Sequence, residues 1–343
     1  MIKLLVNKRF REHLFMENKD ITVVLQGSTL SSYFGKRCIE LSVASVLKVL
    51  PGAKIILSTW ENEDIPCNIS NLVEKVLYNK DPGAVTRDCT PAGKPNNINR
   101  QIVSTINGLK EVKTKYAIKM RTDFILKSDD FKKYFDKFCV SNNNFKIFEK
   151  RIICSMFGTR KPYAKNFNLP FHISDFFFFG LTTDLINLFD IPLVTQEEFY
   201  YFTIHTEFMP DTYARNKYNA EQSLWVNCLT KNGVDVKCKY STHVDDDIAI
   251  QSDKYLVNNF YPISFKKLGI MPLKKDLLPQ KHISVYSDYY TQDEWKTLYR
   301  QYCDNTYKCP VFDTERFFSN FCILLLEKLK LKCIARWLMS LFF

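Results

Sequence analysis

The sequence has none of the glycine-rich motifs that commonly bind phosphate. Glycine accounts for 10 of the 343 residues, and neither the Walker pattern nor G-x-G-x-x-G occurs in the chain. The nucleophile elbow G-x-S-x-G is absent as well. These absences argue against P-loop nucleotide hydrolysis, dinucleotide chemistry with the usual fingerprint, and serine hydrolysis on a nucleophile elbow.

Paired cysteines are also absent. The chain has 11 cysteines, an odd number, and no C-x-x-C pair. Without ligand spacing a zinc site is not expected, and without a regular framework neither are disulfides. The 5 histidines are scattered and indicate no Cys–His dyad. We interpret the cysteines as reduced core residues of a cytosolic protein.

Long apolar runs are missing too. No stretch of about 18 apolar residues occurs, so the sequence predicts no membrane-spanning helix. Charge interrupts the apolar residues at the N-terminus too often for a signal peptide. We therefore expect a cytoplasmic protein in which residues 1–20 form a basic, partly ordered lead-in.

Positive charge is in excess. The formal net charge is +11, in a chain that is 46% hydrophobic and 25% charged. These proportions predict a globular protein with a sizeable core and a surface that attracts anions. The cations are spread along the chain and form no arm, which argues against a nucleic-acid partner.

A strand–helix–strand pattern begins at Ile21. The apolar run Ile21–Gln26 predicts a buried parallel strand, and helical spacing follows over residues 36–50. Further apolar runs over 54–61 and 72–77 predict two more strands. Such units build parallel sheets that helices cover on both faces.

Ligands of open α/β sheets bind beyond the carboxyl ends of the strands. The residues at those ends therefore predict the floor of a binding pocket. They are Gln26, Gly27, Ser58, Thr59, Trp60 and Glu61, together with the turn at 81–83.

The stretch K-Y-A-I-K-M-R-T-D-F-I-L, residues 115–126, alternates apolar and charged side chains. The alternation predicts a strand with one buried and one solvent-facing side. Near its end, Lys119 and Arg121 accompany one acid, Asp123, and two cations beside a carboxylate suit a phosphate-bearing ligand. Arg100, near the start of the preceding predicted helix, is a candidate for the same site. A solvated strand face and an exposed arginine are the alternatives.

Two later acids are candidates for taking a proton from a hydroxyl. Asp175 lies in F-H-I-S-D-F-F-F-F-G, just ahead of four phenylalanines, and Glu221 begins an amphipathic helix. The alternatives are a turn at a strand entrance for Asp175 and a helix N-terminus, where the dipole favours acids, for Glu221.

Seven short runs occur in order between about residues 20 and 230. They are V-V-L-Q-G, I-I-L-S-T-W-E, D-P-G, N-R-Q-I-V-S-T-I-N-G-L, K-Y-A-I-K-M-R-T-D, H-I-S-D-F-F-F-F-G and A-E-Q-S-L-W. As a set they resemble the WavE lipopolysaccharide synthesis family of bacterial glycosyltransferases. The resemblance implies a GT-A-like α/β fold, a Rossmann-type and mostly parallel sheet flanked by helices. It also implies transfer of a sugar from a nucleotide-sugar donor to a glycan or glycolipid acceptor, such as lipopolysaccharide core or capsule.

For the site, the resemblance implies that Arg100, Lys119, Arg121 and Asp123 bind the donor together with the strand-end residues, and that Asp175 or Glu221 is catalytic. GT-A enzymes hold a divalent cation through an Asp-x-Asp motif, of which this chain keeps only the second acid, Asp123. We expect Mn²⁺ or Mg²⁺ bound through Asp123 and the phosphates, with Arg121 sharing the charge-neutralising role.

The same reading divides the chain. Residues 21–310 form the transferase domain, with a nucleotide-binding half over about 21–126 and an acceptor half over about 127–310. Residues 311–343 form an α-rich, basic and amphipathic tail that suits the anionic cytoplasmic face of the inner membrane. One helix face of the tail is predicted to carry Leu325, Leu329, Cys333 and Trp337. A helix docked on the protein's own core and a dimer contact are the alternatives for this tail.

The leading hypothesis is thus a glycosyltransferase that is peripheral to the inner membrane. A non-catalytic, membrane-associated assembly factor is the main alternative, because Arg121 stands where the first acid is expected. A sugar nucleotidyltransferase is less favoured, because no glycine-rich basic loop follows the first strand.

Overall fold

The computed structural model describes residues 16–86, 95–206, 216–278 and 282–342. Most of the predicted lead-in, residues 1–15, lies outside these ranges. The strands are β1 (Ile21–Gln26), β2 (Ser32–Tyr33), β3 (Lys36–Arg37), β4 (Lys54–Trp60), β5 (Lys75–Asn79), β6 (Val85–Thr86), β7 (Pro95–Asn96), β8 (Tyr116–Arg121), β9 (Phe124–Leu126), β10 (Ile152–Ser155), β11 (Phe177–Leu181), β12 (Phe260–Ile263) and β13 (Ile270–Pro272).

Helices cover both faces of the sheet and form the C-terminal part of the chain. The α-helices are α1 (Cys38–Val49), α2 (Cys67–Ser70), α3 (Ile98–Lys110), α4 (Thr182–Phe189), α5 (Gln196–Phe199), α6 (Tyr201–Ile204), α7 (Ala220–Lys231), α8 (Asp246–Asn259), α9 (Phe265–Leu268), α10 (Gln292–Tyr302), α11 (Thr314–Glu327) and α12 (Lys332–Phe342).

Seven strands form one sheet in the order β12-β10-β11-β8-β1-β4-β5. β11 runs antiparallel to both of its neighbours, and the other neighbouring pairs are parallel. The predicted α/β class, with a mostly parallel sheet flanked by helices, is confirmed. The predicted first and second strands are β1 and β4, whereas the third begins later than predicted, at Lys75.

The central strand β1 separates two apolar cores. Val23 belongs to the core that contains Val43 of α1, and Val24 belongs to the core that contains Ile106 of α3. Successive side chains of a strand point to opposite faces, so each face of β1 packs under its own helix. Close packing on the α3 side requires Gly108, since a Cβ there would lie 2.5 Å from a methyl group of Val24.

β8 has no solvent-facing side, so that part of the sequence prediction is wrong. Lys119 is buried as completely as Met120. The cause is the position of β8 between β1 and β11, where helices cover both faces. The alternation of apolar and charged residues in β8 therefore reflects two faces of the strand that are both buried but differ in polarity.

A short ribbon beyond β8 joins two distant parts of the chain. After Asp123 the chain enters β9, which pairs antiparallel with β13. The N–H of Leu273 donates to the main-chain oxygen of Asp123 at 2.8 Å. This pairing places Lys274 beside the carboxyl end of β8.

The C-terminal tail folds into two helices, α11 and α12, so the single predicted stripe is wrong. Leu325 is buried, whereas Leu329 and Trp337 are 56% and 62% exposed. The break lies at Lys330, which adopts a positive φ of 57°. Cys322, Leu325, Ala335 and Met339 join the main core, as the docked alternative predicts. No helix among the described residues is long and apolar enough to cross a bilayer.

Candidate functional site

Two cavities lie side by side at the carboxyl ends of the parallel strands. The first, the strand-end cavity, has a volume of about 310 Å³. Its walls include Gln26, Gly27, Trp60, Arg100, Arg121, Asp123, Asp175 and Lys274. The second, the aromatic cavity, has a volume of about 520 Å³. Its walls include Phe157, Phe176, Tyr289, His172 and Glu221. Asn97 and Ala220 border both cavities, so the two adjoin at these residues.

The strand-end cavity contains most of the residues that the sequence predicts to bind the donor. These are Gln26, Gly27, Trp60, Arg100, Arg121 and Asp123, and the candidate base Asp175 joins them. They meet because β1, β4 and β8 end at the same edge of the sheet. The chain leaves β1 through Gly27, whose φ of +106° favours glycine.

Four other predicted residues do not line this cavity: Ser58, Thr59, Glu61 and Lys119. Ser58 and Thr59 are fully buried and form internal hydrogen bonds. The Ser58 hydroxyl accepts from Asn79 at 2.9 Å, and the Thr59 hydroxyl donates to Glu63 at 2.6 Å. Glu61 borders a neighbouring cavity of about 310 Å³, which shares Ser28, Trp60 and Arg100 with the strand-end cavity. Ser58 and Thr59 therefore stabilise the protein beneath the cavity floor and do not contact a ligand.

Glu63, which the sequence analysis missed, fixes the loop that follows β1. Its carboxylate accepts hydrogen bonds from the N–H and the hydroxyl of Thr29, both at 2.7 Å. Burial alone would raise the pKa of Glu63, but hydrogen bonds from Ser28, Thr59 and Thr29 lower it below its usual value. The acid is buried and ionised, and it determines the position of the loop at the mouth of the cavity.

Arg121, Asp123 and Lys274 form a compact charged group, which we call the cation cluster. Arg121 donates to both oxygens of Asp123, from Nε at 2.9 Å and from a terminal nitrogen at 2.7 Å. Lys274 Nζ lies 3.0 Å from the same carboxylate. Burial opposes ionisation of Asp123, but Arg121 and Lys274 outweigh it and lower its pKa to about 2. The cluster carries one net positive charge.

Arg100 forms a second fork at the rim of the cavity. It donates from Nε to Asp81 at 2.8 Å and to Asn97 at 3.0 Å. The Arg100 and Asp81 side chains are 32% and 38% exposed, so water screens this pair. The pair is neutral as a whole, and the turn at Asp81, predicted from sequence, places it there.

Lys119 holds the main chain at Asp175 and cannot contact a ligand, because it is fully buried. Its ammonium donates to the main-chain oxygen of Asp175. Burial, together with Arg121, lowers the pKa of Lys119 to about 8, against the opposing attraction of Asp175. Lys119 is therefore a supporting residue for the wall that carries Asp175.

Glu221 borders the aromatic cavity from the first turn of α7. A capping box formed by Asn219 and Gln222 fixes this helix start. The buried amide of Gln222 also donates to the main-chain oxygens of Pro170 and Ser241, at 2.7 and 2.8 Å. Glu221 is thus held on a rigid element while its side chain stays 30% exposed.

His172 faces Glu221, with its Nε2 3.7 Å from a carboxylate oxygen. Burial and the nearby Arg160 lower the pKa of His172 to about 3, so the ring is neutral near pH 7. Nδ1 lies 2.9 Å from the carbonyl oxygen of Gly158. Because a carbonyl only accepts, Nδ1 carries the proton and Nε2 presents a lone pair beside Glu221. The two groups together favour a ligand that donates hydrogen bonds.

Another part of the wall of this cavity is aromatic. The rings of Phe157 and Phe176 stack with centroids 5.8 Å apart, and Tyr289 packs edge-on against Phe157 at 5.4 Å. Arg160 lies 5.3 Å from the centre of the Tyr289 ring and pairs with buried Asp288 at 3.2 Å. Flat apolar faces beside hydrogen-bonding groups suit the binding of a sugar ring.

The residues around Asp123 do not fit the predicted divalent cation. Mg²⁺ and Mn²⁺ require free carboxylate or other oxygen ligands. Both oxygens of Asp123 already accept hydrogen bonds from Arg121, and Lys274 contacts one of them. Among the described residues, no group of three His, Cys, Asp or Glu side chains is placed to hold a metal ion.

Comparison with known proteins gives one strong match. The family model for WavE lipopolysaccharide synthesis matches residues 21–331. No curated protein matches the chain significantly.

Solved structures resemble the chain only weakly, each at 12% sequence identity. The 4-diphosphocytidyl-2C-methyl-D-erythritolsynthase from Anaerococcus prevotii DSM 20548 aligns over 70% of this chain and 99% of its own, with a TM-score of 0.31. The apo-form glycosyltransferase GlyE from Streptococcus pneumoniae TIGR4 aligns over 81% and 59%, with a TM-score of 0.32. The inositol-1-phosphate CTP transferase from T. maritima aligns over 70% and 98%, with a TM-score of 0.33. At these TM-scores the structures add nothing to the family match.

Proposed function

The chain belongs to the WavE lipopolysaccharide synthesis family, and from this premise we propose that it is a glycosyltransferase. It transfers a sugar from a nucleotide-sugar donor to a growing surface glycan, on a fold of GT-A type. The nucleotide diphosphate binds in the strand-end cavity, and the acceptor sugar binds in the aromatic cavity.

The observation that carries this proposal is the contrast between two adjoining cavities. The cation cluster, in the first, supplies positive charge where a diphosphate needs it. Glu221, in the second, lies beside a neutral histidine and aromatic rings. Sugar transfer needs a base near the attacking hydroxyl and positive charge near the leaving diphosphate, and the two cavities share Asn97 and Ala220 as lining residues.

The proposed reaction forms one bond and breaks one. The acceptor hydroxyl attacks the anomeric carbon of the donor sugar, and the bond from that carbon to the diphosphate oxygen breaks. Glu221 takes the hydroxyl proton as general base, and the nucleoside diphosphate leaves with both bonding electrons. The cation cluster stabilises the negative charge that develops on the departing diphosphate. Asp175, on the donor side, is the alternative base.

The experiment is a donor screen. Purified protein is incubated with a panel of nucleotide sugars and lipopolysaccharide-core or lipid-linked acceptors, and release of nucleoside diphosphate is measured. We expect one donor to raise the melting temperature selectively and to be consumed in the presence of acceptor. An assembly factor without activity would show no selective donor, and a nucleotidyltransferase would consume a nucleoside triphosphate and release pyrophosphate. Either result would contradict the proposal.

We also propose that the tail contacts the cytoplasmic face of an anionic membrane. The helices α11 and α12 expose apolar side chains next to cations. The exposed apolar residues are Phe317, Phe321, Leu324, Leu329, Leu331, Ile334 and Trp337. Exposed cations follow at Lys328, Lys330, Lys332 and Arg336. An interfacial helix has this combination, and the cations complement anionic headgroups.

Vesicle sedimentation tests the membrane proposal. Binding to phosphatidylglycerol-containing vesicles should exceed binding to phosphatidylcholine vesicles and should weaken with salt. Trp337→Ala combined with Ile334→Ala should reduce binding several-fold. Phe34→Ala, which removes an even more exposed apolar ring outside the tail, is the control. Equal binding of both variants would contradict a contact through the tail.

A further inference from the structure

We propose that Arg121 and Lys274 neutralise the donor diphosphate without a divalent metal ion, and that Asp123 is the positioning residue that holds the two cations together. This inference rests on the proposed function, since it assigns the chemistry of the donor site. The sequence predicts that Asp123 binds a metal ion, whereas this proposal has Asp123 hold the two cations in place.

The geometry of Asp123 is the first support. Its side chain is 4% exposed and lies between two cations. A metal ion would have to displace the Arg121 fork and Lys274, and would leave a guanidinium and an ammonium next to the metal's own charge. A diphosphate requires no such displacement, because it adds negative charge to a group that is positive as a whole.

Further hydrogen-bond donors of the cluster, which have no partner among the described residues, are the second support. The fork to Asp123 occupies two of the five N–H groups of a guanidinium, and the contact of Lys274 occupies one of three on an ammonium. Both side chains border the strand-end cavity, where they are 28% and 49% exposed. The remaining donors suit the several oxygens of a diphosphate.

The fold determines the spacing of the two cations. Arg121 ends β8, and Lys274 follows β13, which pairs with β9 immediately after Asp123. The main-chain bond from Leu273 to Asp123 fixes the two segments next to Lys274. The rings of Phe124 and Phe176 lie 5.9 Å from the guanidinium of Arg121 and restrict its orientation. The cations are therefore placed before a ligand arrives, which lowers the cost of binding.

The test measures binding of UDP, GDP, CDP and dTDP by calorimetry, in EDTA and again with Mg²⁺ or Mn²⁺. We expect one nucleotide to bind in EDTA, with an affinity that the metals change less than threefold. Lys274→Met should weaken this binding about tenfold or more, which is the usual effect of losing a charge-assisted hydrogen bond. Lys275→Met is the matched control, because the neighbouring lysine does not border the strand-end cavity.

The outcomes separate the inference from the proposed function. Binding that requires a metal, or equal effects of Lys274→Met and Lys275→Met, would overturn the inference and leave the transferase proposal intact. Failure of all four nucleotides to bind under every condition would overturn both. Similar melting temperatures of the two unliganded variants exclude misfolding as the cause.

A second variant tests Asp123 as a positioning residue. Asp123→Asn should reduce nucleotide affinity because the Arg121 fork is lost, and excess Mn²⁺ should not restore it. A metal ligand behaves differently, since weakened coordination is offset by a higher metal concentration. Recovery of affinity in high Mn²⁺ would therefore contradict the inference.

Discussion

The two cavities lie at the same edge of one sheet but handle charge in opposite ways. In the strand-end cavity, the acid Asp123 stays ionised because two cations contact it, and its pKa falls to about 2. In the aromatic cavity, the base His172 stays neutral because it is buried, and its pKa falls to about 3. The first environment stabilises negative charge, and the second avoids positive charge.

The difference assigns separate tasks to residues that a sequence pattern would group together. A carboxylate whose oxygens are paired with cations, such as Asp123, cannot also accept a proton at neutral pH. Glu221, beside a neutral ring in the cavity that suits a sugar, has the environment that a general base needs. The comparison therefore supports our proposals that the cations held by Asp123 bind an anion and that Glu221 takes the proton.

Glu221→Gln should have the largest effect and tests this assignment most directly. We expect kcat to fall by about 10²- to 10⁴-fold, the usual contribution of a general base, with donor affinity unchanged. Asp175→Asn, on the donor side, is the control and should keep most of its turnover. If Asp175→Asn lowered kcat more than Glu221→Gln, Asp175 would be the general base. The proposed separation of anion binding and proton transfer between the two cavities would then be wrong.

Arg121→Lys tests the strand-end side of the comparison. Lysine cannot form the two-pronged contact with Asp123, so we expect donor affinity to fall about 10- to 100-fold. Arg100→Lys changes the exposed, neutral fork at the rim and should cost less than about fivefold. Titration of each variant with the donor found in the screen measures both effects. Equal losses would show that the two arginines contribute alike.

Asp123→Asn tests the charge environment of the strand-end cavity through the free energy of unfolding. The folded-state pKa of Asp123, about 2, lies below the ordinary value of 3.8, so the ionised acid stabilises the fold above the unfolded pKa. The contribution is about 2 kcal/mol at neutral pH, and it is lost as the pH falls from 3.8 towards 2. Urea unfolding at pH 7 and pH 3 should show that the deficit of the variant narrows by about half at the lower pH. A deficit that is the same at both pH values would mean that the acid's ionisation does not stabilise the fold.

The sequence predicts the strand-end site well where local pattern determines it. β1 and β4 are apolar runs that end in polar residues, and parallel strands bring such ends together, so Gln26, Trp60 and Arg121 line one cavity. Ser58 and Thr59 do not line the cavity, because they are buried inside β4 ahead of its last residue, Trp60, and both hydroxyls are bonded within the protein. Which strand-end residues face the cavity depends on how α3 and the loop after β4 pack.

The position of Lys274 beside Asp123 could not be predicted, because it depends on a pairing between distant parts of the chain. The residues around it are irregular in sequence, and β13 is defined only by its contact with β9, more than a hundred positions earlier.

The prediction of a metal ion at Asp123 also depends on a contact that local sequence does not reveal. A carboxylate in the motif position suggests a metal ligand, and only the packed structure shows that two cations contact it.

The single helix face predicted for the tail is wrong because one residue, Lys330, adopts a positive φ and divides the helical pattern into two helices.

His172→Asn tests the aromatic side of the comparison and should have the smallest effect. The pKa of His172 is about 3 in the folded protein and about 6.5 in the unfolded chain, so only the unfolded state gains a proton between these values. Stability is therefore full above pH 6.5 and falls as the pH is lowered towards 3, by about 1 kcal/mol between pH 7 and pH 5.5. Asparagine does not titrate, and its amide can still donate to the Gly158 oxygen that Nδ1 contacts. Urea unfolding of the variant should therefore change less than that of the original chain over this interval. If both lose the same stability, His172 is not held neutral, and the charge contrast between the cavities does not hold.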